Sequence, residues 1–285
     1  MKPVRKLLLD YSVGAGKDYR DSSLTVFEAI LNKLESLADE ANEDLLHASP
    51  MTINRFLSNQ KNLNTAKRYA CFLDDFYAYL VHAGALKVSP AFRLRDRYSY
   101  PEKLAATTGF ANEEEERAFL AALPTPRTWK KTRDAALLAL SLGTGLKLKE
   151  TIHLDAKDVF LREVAPIVMV HHRHLSRAVP IREAAVPFVE QWFKAREEAG
   201  LGALKEFFPA SSEGGRLAPS TVWRQVRKVL ERAGLDHLTH LGISALRVSY
   251  ARIEAEHGLT VPELQHRLGH VRETSTVYLL KNGGR

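Results

Sequence analysis

Apolar residues recur at helical spacing along most of this chain, and that pattern confines it to a mainly α fold. In LTVFEAILNKLESLADE, the residues Leu24, Phe27, Ile30, Leu31 and Leu34 share one face. They predict an amphipathic helix, with a cap at Asp21, Ser22 and Ser23 and only a short basic head before it. A second helix is expected from Ser49 and Pro50, turning Ile53, Phe56 and Leu57 inward. Asn64 and Thr65 then open the longest run of this half, AKRYACFLDDFYAYLVHAG, which Gly84 closes. Its Tyr69, Phe72, Leu73, Phe76 and Leu80 read as core rather than as a stacking platform.

From Ala91 the period fails. FRLRDRYSYPEKLAATTG is basic and carries Pro101 and Gly109, so residues 97–110 read as a linker between domains at 1–96 and 111–285. The second domain resumes the helical period. Asn112 with Glu115 forms an N-cap signal, and Arg133-Asp134 leads into AALLALSLGTG, ending at Gly143 or Gly145. A short helix starts within Leu146–Glu150, and further helices are expected over 184–199 and 220–233. Only IVMVHHRHLSRAVPI, residues 167–181, breaks the period, and its two β-rich arms predict a hairpin with a basic tip.

Composition bears on partners. With 285 residues the chain has room for two cores, and it carries no apolar run long enough for a membrane and no signal peptide, which places it in the cytoplasm. The single cysteine, Cys71, reads as a small buried helical residue. A formal charge of +7 favours a polyanion, because Lys and Arg neutralise phosphates. Candidate DNA contacts are Lys61, Lys67 and Arg68, which oppose the dipole at a helix start; Arg93, Arg95 and Arg97 on the basic strap; Arg173 and Arg177 on the hairpin; and Arg224, Arg227 and Lys228 on one helix. His171, His172 and His174 invite a zinc reading. No cysteine or carboxylate accompanies them at metal-site spacing, so a DNA-facing turn is preferred and no metal is expected.

The ordered set of motifs resembles the tyrosine recombinases, the phage integrase family. NTAKRYACFLDDFYAYLVHAGALKVSPA is similar to the end of that family's helical core-binding (SAM-like) domain, and RDAALLALSLGTGLKLKETIHL to its first catalytic box. The hairpin, then SALR, then Leu268-Gly269-His270, then Tyr278 follow in the family's order. The resemblance implies an N-terminal core-binding domain plus an α-rich catalytic domain with a small β-hairpin or sheet, clamped around double-stranded DNA. It also implies strand exchange without metal or cofactor, in which a tyrosine attacks a phosphodiester to give a 3′-phosphotyrosine and frees a 5′ hydroxyl.

Carried over by resemblance, Tyr278 is the nucleophile, Arg247 the second arginine, His270 the turn histidine and Glu150 the acidic partner of the first box. Three positions depart from the pattern: Lys147 stands for the first arginine, His172 for the hairpin lysine and Ser244 for the first histidine. Lys147 keeps charge but lacks the bidentate fork, and losing one preorganised donor typically costs about 10²–10³ in rate. His172 titrates in the right range for a general acid. Ser244 has no such capacity, a role typically worth about 10²–10⁴, and His240 lies a turn too early to replace it.

Three readings follow. The first is a sequence-specific duplex-DNA-binding protein acting in DNA mobility, recombination or target-site selection, with little or no strand cleavage. The second is an active tyrosine recombinase or integrase, and the third a structural or regulatory subunit of a recombination or transposition complex. A transposase, an active recombinase and self-association on DNA are the protein partners these readings admit. Many family members carry a further C-terminal helix where this chain has only KNGGR, so the usual cyclic tetramer is not expected.

Overall fold

The computed structural model describes residues 3–98, 109–110, 112–161, 165–171, 176–238 and 242–282. The chain divides into two compact units, Met1–Lys103 and Leu104–Arg285.

The first unit is helical, with α1 (Pro3–Gly14), α2 (Asp21–Glu40), α3 (Pro50–Ser58), α4 (Leu63–His82) and α5 (Leu94–Arg97). Its core gathers Leu8 and Tyr11 from α1, Ile30, Leu31 and Leu34 from α2, Ile53 and Leu57 from α3, and Leu73, Phe76 and Tyr77 from α4. The aromatic face of α4 is therefore core: Phe72 stacks on Phe27 at 4.2 Å, and Tyr11 meets Phe76 edge-on at 5.6 Å. The buried Tyr77 hydroxyl donates to the Leu45 carbonyl at 2.5 Å, as a polar atom taken from water must.

Several boundaries differ from those read in the sequence. The basic head is the helix α1, whose Val4, Leu8 and Tyr11 are buried at helical spacing. Arg20 occupies the cap position of α2 without a side-chain bond, so Asp21 is a first-turn charge and not the cap. α4 starts earlier than Asn64, because the Asn62 side chain accepts from Asn64 N at 2.8 Å. The strap after Ala91 is folded up to Tyr98: Ala91 and Leu94 are buried, and α5 packs on α4. Burying those two small apolar residues outweighs the lack of a sustained period.

The second unit runs α6 (Glu113–Ala121), α7 (Trp129–Thr144), α8 (Leu148–Ile152), β1 (Val159–Phe160), β2 (Ile167–Val170), β3 (Arg177–Pro180), α9 (Val186–Glu198), β4 (Pro209–Ser211), β5 (Gly214–Arg216), α10 (Pro219–Arg232), α11 (Ile243–Glu256), α12 (Val261–Leu268) and α13 (Glu273–Asn282). β1, β2 and β3 form an antiparallel sheet in that order, with Val168 opposite Val179. β4 and β5 form a separate two-stranded ribbon.

The apolar α7 is buried on all sides from Thr132 onward, with α9 and α11 packed against it. α9 contributes Trp192, whose Nε1 donates to the Phe207 carbonyl at 2.9 Å. The unit is thus built around one helix whose C-terminal end is fixed. That end is where the candidate site lies.

Candidate functional site

α7 stops at Gly145, whose φ of +61° favours glycine. A β-carbon there would stand 2.4 Å from the Tyr250 ring, so the turn admits no side chain. The chain leaves this turn into Lys147 and α8. On the other side, α12 ends in Gly269 at φ +63°, where a β-carbon would meet the Arg177 guanidinium at 2.7 Å. Two glycine turns therefore bring α8, β3, α11 and α12 to one place.

The end of α12 acts as a template. Its three successive carbonyls accept from three cations: Arg267 O from Arg177 Nε at 2.9 Å, Leu268 O from Arg247 Nη2 at 2.7 Å, and Gly269 O from Lys147 Nζ at 3.4 Å. Free carbonyls at a helix C-terminus carry partial negative charge, which is why cations gather there. Arg247 also donates to Gly145 O at 2.5 Å and meets His270 Nε2 at 2.9 Å. Burial, which outweighs the attraction of Glu150, lowers its pKa to about 10, still well above neutrality.

His270 sits between two partners. Nε2 accepts from Arg247, which leaves the proton on Nδ1, and Nδ1 donates to Thr276 Oγ1 at 2.9 Å. Burial first, then the charges of Arg247, Lys147 and Arg177, push its pKa down to about 4, so the ring is neutral at pH 7. Burial and Arg247 likewise lower the Lys147 ammonium.

Glu150 underpins both cations. Arg177 grips it in a fork, Nη1 to Oε1 at 3.1 Å and Nη2 to Oε2 at 3.0 Å, and Lys147 N donates to Oε2 at 2.8 Å. Burial raises this carboxyl, but the fork and the backbone N–H overcome it and hold the pKa below the ordinary value. Arg177 is therefore not an outward DNA reader. The alternation of β3 turns residues 177 and 179 inward, and the Arg177 side chain is 2% exposed.

The remaining sequence candidates separate. Ser244 is exposed, one turn before Arg247 on α11. His172, Arg173, His174 and His240 lie outside the described residues. His171 meets Asp158 Oδ1 at 3.2 Å.

Tyr278 lies on α13, two residues after Thr276. Successive helical residues turn by about 100°, so these two side chains leave the helix about 200° apart. Burial agrees: Thr276 is fully buried beside His270, whereas Tyr278 is 51% exposed and lines an outer recess with Glu273, Thr274, Val277 and Lys281.

Among the outer cations, Lys61 and Arg68 are exposed at the start of α4, with Lys67 half-buried, and Arg68 lies over the Tyr69 ring at 5.6 Å. Arg93 pairs with Asp96 at 2.8 Å, Arg95 pairs with Asp75, and Arg97 donates to Phe92 O at 3.1 Å. These three are surface groups engaged within their own unit rather than members of a loose strap. On α10, Arg224, Arg227 and Lys228 are all exposed, and Arg227 covers the half-exposed Trp223 while pairing with Glu231 at 2.7 Å. Thr276 and the carbonyls of 267–269 are functional groups of the site that the sequence does not mark. A threonine two residues before a tyrosine carries no local signal, and carbonyls carry none in any sequence.

This convergence of a helix-end turn, an Arg–His pair and a helical tyrosine in an α-rich unit with a small sheet is that of a tyrosine recombinase. The profile of the phage integrase family matches residues 110–282, and the chain belongs to that family. It is 24% identical to the tyrosine recombinase XerD of Yersinia pestis over 259 residues, 89% of this chain and 84% of that protein. It is 25% identical to XerC of Thermodesulfovibrio yellowstonii over 272 residues, covering 90% and 85%. The fold matches the XerH site-specific recombinase bound to palindromic difH substrate in a post-cleavage complex, with TM-score 0.75, 20% identity and coverage of 91% and 76%. It also matches a lambda integrase dimer bound to a COC′ core site, with TM-score 0.69, 16% identity and coverage of 98% and 95%. Among the described residues no helix is long and apolar enough to cross a membrane.

Proposed function

We propose that this chain binds duplex DNA sequence-specifically and seats one backbone phosphate between Lys147, Arg247 and His270, with little or no strand cleavage of its own. The observation that carries the reading is a fixed cluster of Lys147, Arg247 and His270 (the cradle) beside a tyrosine that stands on the face of its helix opposite Thr276. Arg247 commits only part of its guanidinium to carbonyls and His270, and its remaining N–H groups suit non-bridging oxygens. Lys147 supplies a point charge. Neutral His270, with Nε2 accepting from Arg247 and Nδ1–H donating to Thr276, orients the Arg247 guanidinium rather than adding a charge of its own.

Ser244 adds a hydroxyl but no group that holds a proton for the leaving oxygen. In this reading Tyr278, which leaves α13 about 200° from Thr276, is brought to the cradle by a turn of α13 about its axis. The exposed cations of α4 and α10, Lys61, Lys67, Arg68, Arg224, Arg227 and Lys228, supply salt-sensitive backbone contacts in this reading. Its biological setting is DNA mobility, recombination or target-site selection, alongside a transposase or an active recombinase, or in self-association on DNA.

A second reading, an active recombinase using Tyr278, is favoured by one specific observation: Glu150, Arg247 and His270 are held together by direct contacts. Binding is tested by selecting duplexes from a random pool and titrating the winner in salt. If about 6–10 phosphates are neutralised, affinity falls by about 10³–10⁵ between 50 and 200 mM salt. No selected sequence would overturn DNA recognition and leave the structural-subunit reading.

A further inference from the structure

A second ion network lies behind the cradle, and phosphate binding as described makes no use of it. Arg182, which follows β3, pairs with Glu116 of α6, and its Nε meets Glu254 Oε1 of α11 at 3.1 Å. The other oxygen of Glu254 accepts from Arg267 Nη1 of α12 at 2.7 Å. The Glu116 and Glu254 side chains are 7% and 8% exposed. Buried charges are retained at a cost unless fully paired, so a four-member network calls for an account of what it fixes.

Its position supplies one. Arg267 is the residue whose carbonyl receives Arg177, and the next two carbonyls receive Arg247 and Lys147. α12 is only 8 residues long and buries two apolar side chains, Leu264 and Leu268. A helix this short is marginal on its own propensity and depends on tertiary anchors. Its N-terminus is held by Thr260 and Glu263, and Gln265 reaches His270 O; at its last turn, besides the three cations on its carbonyls, the Arg267–Glu254 ion pair ties a side chain of α12 itself to α11.

We propose that Glu254 is a positioning residue for the cradle: by gripping Arg182 and Arg267 together it fixes the end of α12, and so the three carbonyls that aim Arg177, Arg247 and Lys147. This rests on the reading of the cradle as a phosphate site. Glu254 itself touches no reacting atom. Its effect is carried by backbone, through a helix end that is otherwise held to α11 by the Arg247–Leu268 bond and the packing of Leu264 and Leu268.

The test is Glu254→Gln in the full chain, with His270 followed by NMR through a pH titration. The groups facing His270 are Arg247, Lys147, Arg177 and Glu150, with Thr276 on its other nitrogen. If Glu254 positions the turn, loosening it admits water and draws the cations away. The ring then titrates about one unit or more above its wild-type value of about 4. Glu254→Asp, which keeps the charge, returns the titration toward wild type. A folded Glu254→Gln protein whose His270 titrates as in wild type overturns the proposal, whatever its melting temperature.

Should Glu254→Gln not fold, Arg267→Met keeps the packing stem and removes the same pair. It is expected to shift His270 equally, and an unchanged titration there also overturns the proposal. Duplex binding by the wild type is measured separately. Its absence would sink the phosphate reading, while the His270 titration would still decide whether Glu254 positions the turn.

Discussion

The cradle and the helix α13 sit side by side, yet they are fixed in different ways. The two central cradle groups are each held from two sides, Arg247 by Gly145 O and Leu268 O and His270 by Arg247 and Thr276, with Glu150 gripped behind them by Arg177. On α13 everything depends on helical phase. Thr276 faces His270, and Tyr278, two positions on, faces outward. Leu279 stands three positions after Thr276 and shares its face, half-buried against the small core of Tyr250, Leu264 and Leu268. In the proposed reading, recognition of a phosphate and delivery of a nucleophile are therefore separable. In that reading the first rests on the glycine turns and carbonyls, and the second on the helical phase of α13.

The largest expected effect on the cradle side is that of Arg247→Ala. It strands two carbonyls and His270 in a buried place, so unfolding free energy should fall by about 3–5 kcal/mol, measurable by denaturant titration. A drop below about 1 kcal/mol would mean that Arg247 is not the clasp described. Gly269→Ala forces a side chain into a left-handed turn and against Arg177. The cost should be about 1–3 kcal/mol, with weaker duplex binding, while α13 and Tyr278 are left alone.

Thr276→Val tests the shared hydrogen bond, since it removes the acceptor of His270 Nδ1–H and should cost about 1 kcal/mol. The pH profile belongs with it. His270 titrates at about 4 when folded against an ordinary 6.5, so between these values the unfolded chain binds more protons. Its contribution to stability is complete above pH 6.5 and is lost as pH falls toward about 4. Melting curves across that window check the sign. The smallest stability effect is expected for Arg224→Ala with Lys228→Ala. Unfolding should change by no more than about 0.5 kcal/mol, while the salt slope of DNA binding falls by about 0.9 for each phosphate that is no longer neutralised.

The helical period, the hairpin and the order Lys147, Arg247, His270, Tyr278 are all legible in the sequence, because burial and turn chemistry leave local marks. The outward placement of Tyr278 is not. It depends on which α13 residue meets His270, a tertiary fact that the order of motifs does not encode. Arg177 misleads for a related reason. A basic residue beside a basic hairpin tip reads as a surface charge, and only strand register shows that it turns inward onto Glu150. The strap after Ala91 reads as unstructured because a four-residue helix is too short to show a period.

The central claim is that phase on α13 withholds Tyr278 from a cradle that still binds phosphate. It is tested most directly by incubating a nicked, selected duplex with the wild type, Tyr278→Phe, and the exchange Tyr278→Leu with Leu279→Tyr, then looking for covalent protein–DNA adduct on a denaturing gel. Salt-sensitive binding is expected from all three, and adduct only from the exchanged protein, whose tyrosine shares the face of Thr276. A clear adduct from the wild type that Tyr278→Phe abolishes would contradict the claim.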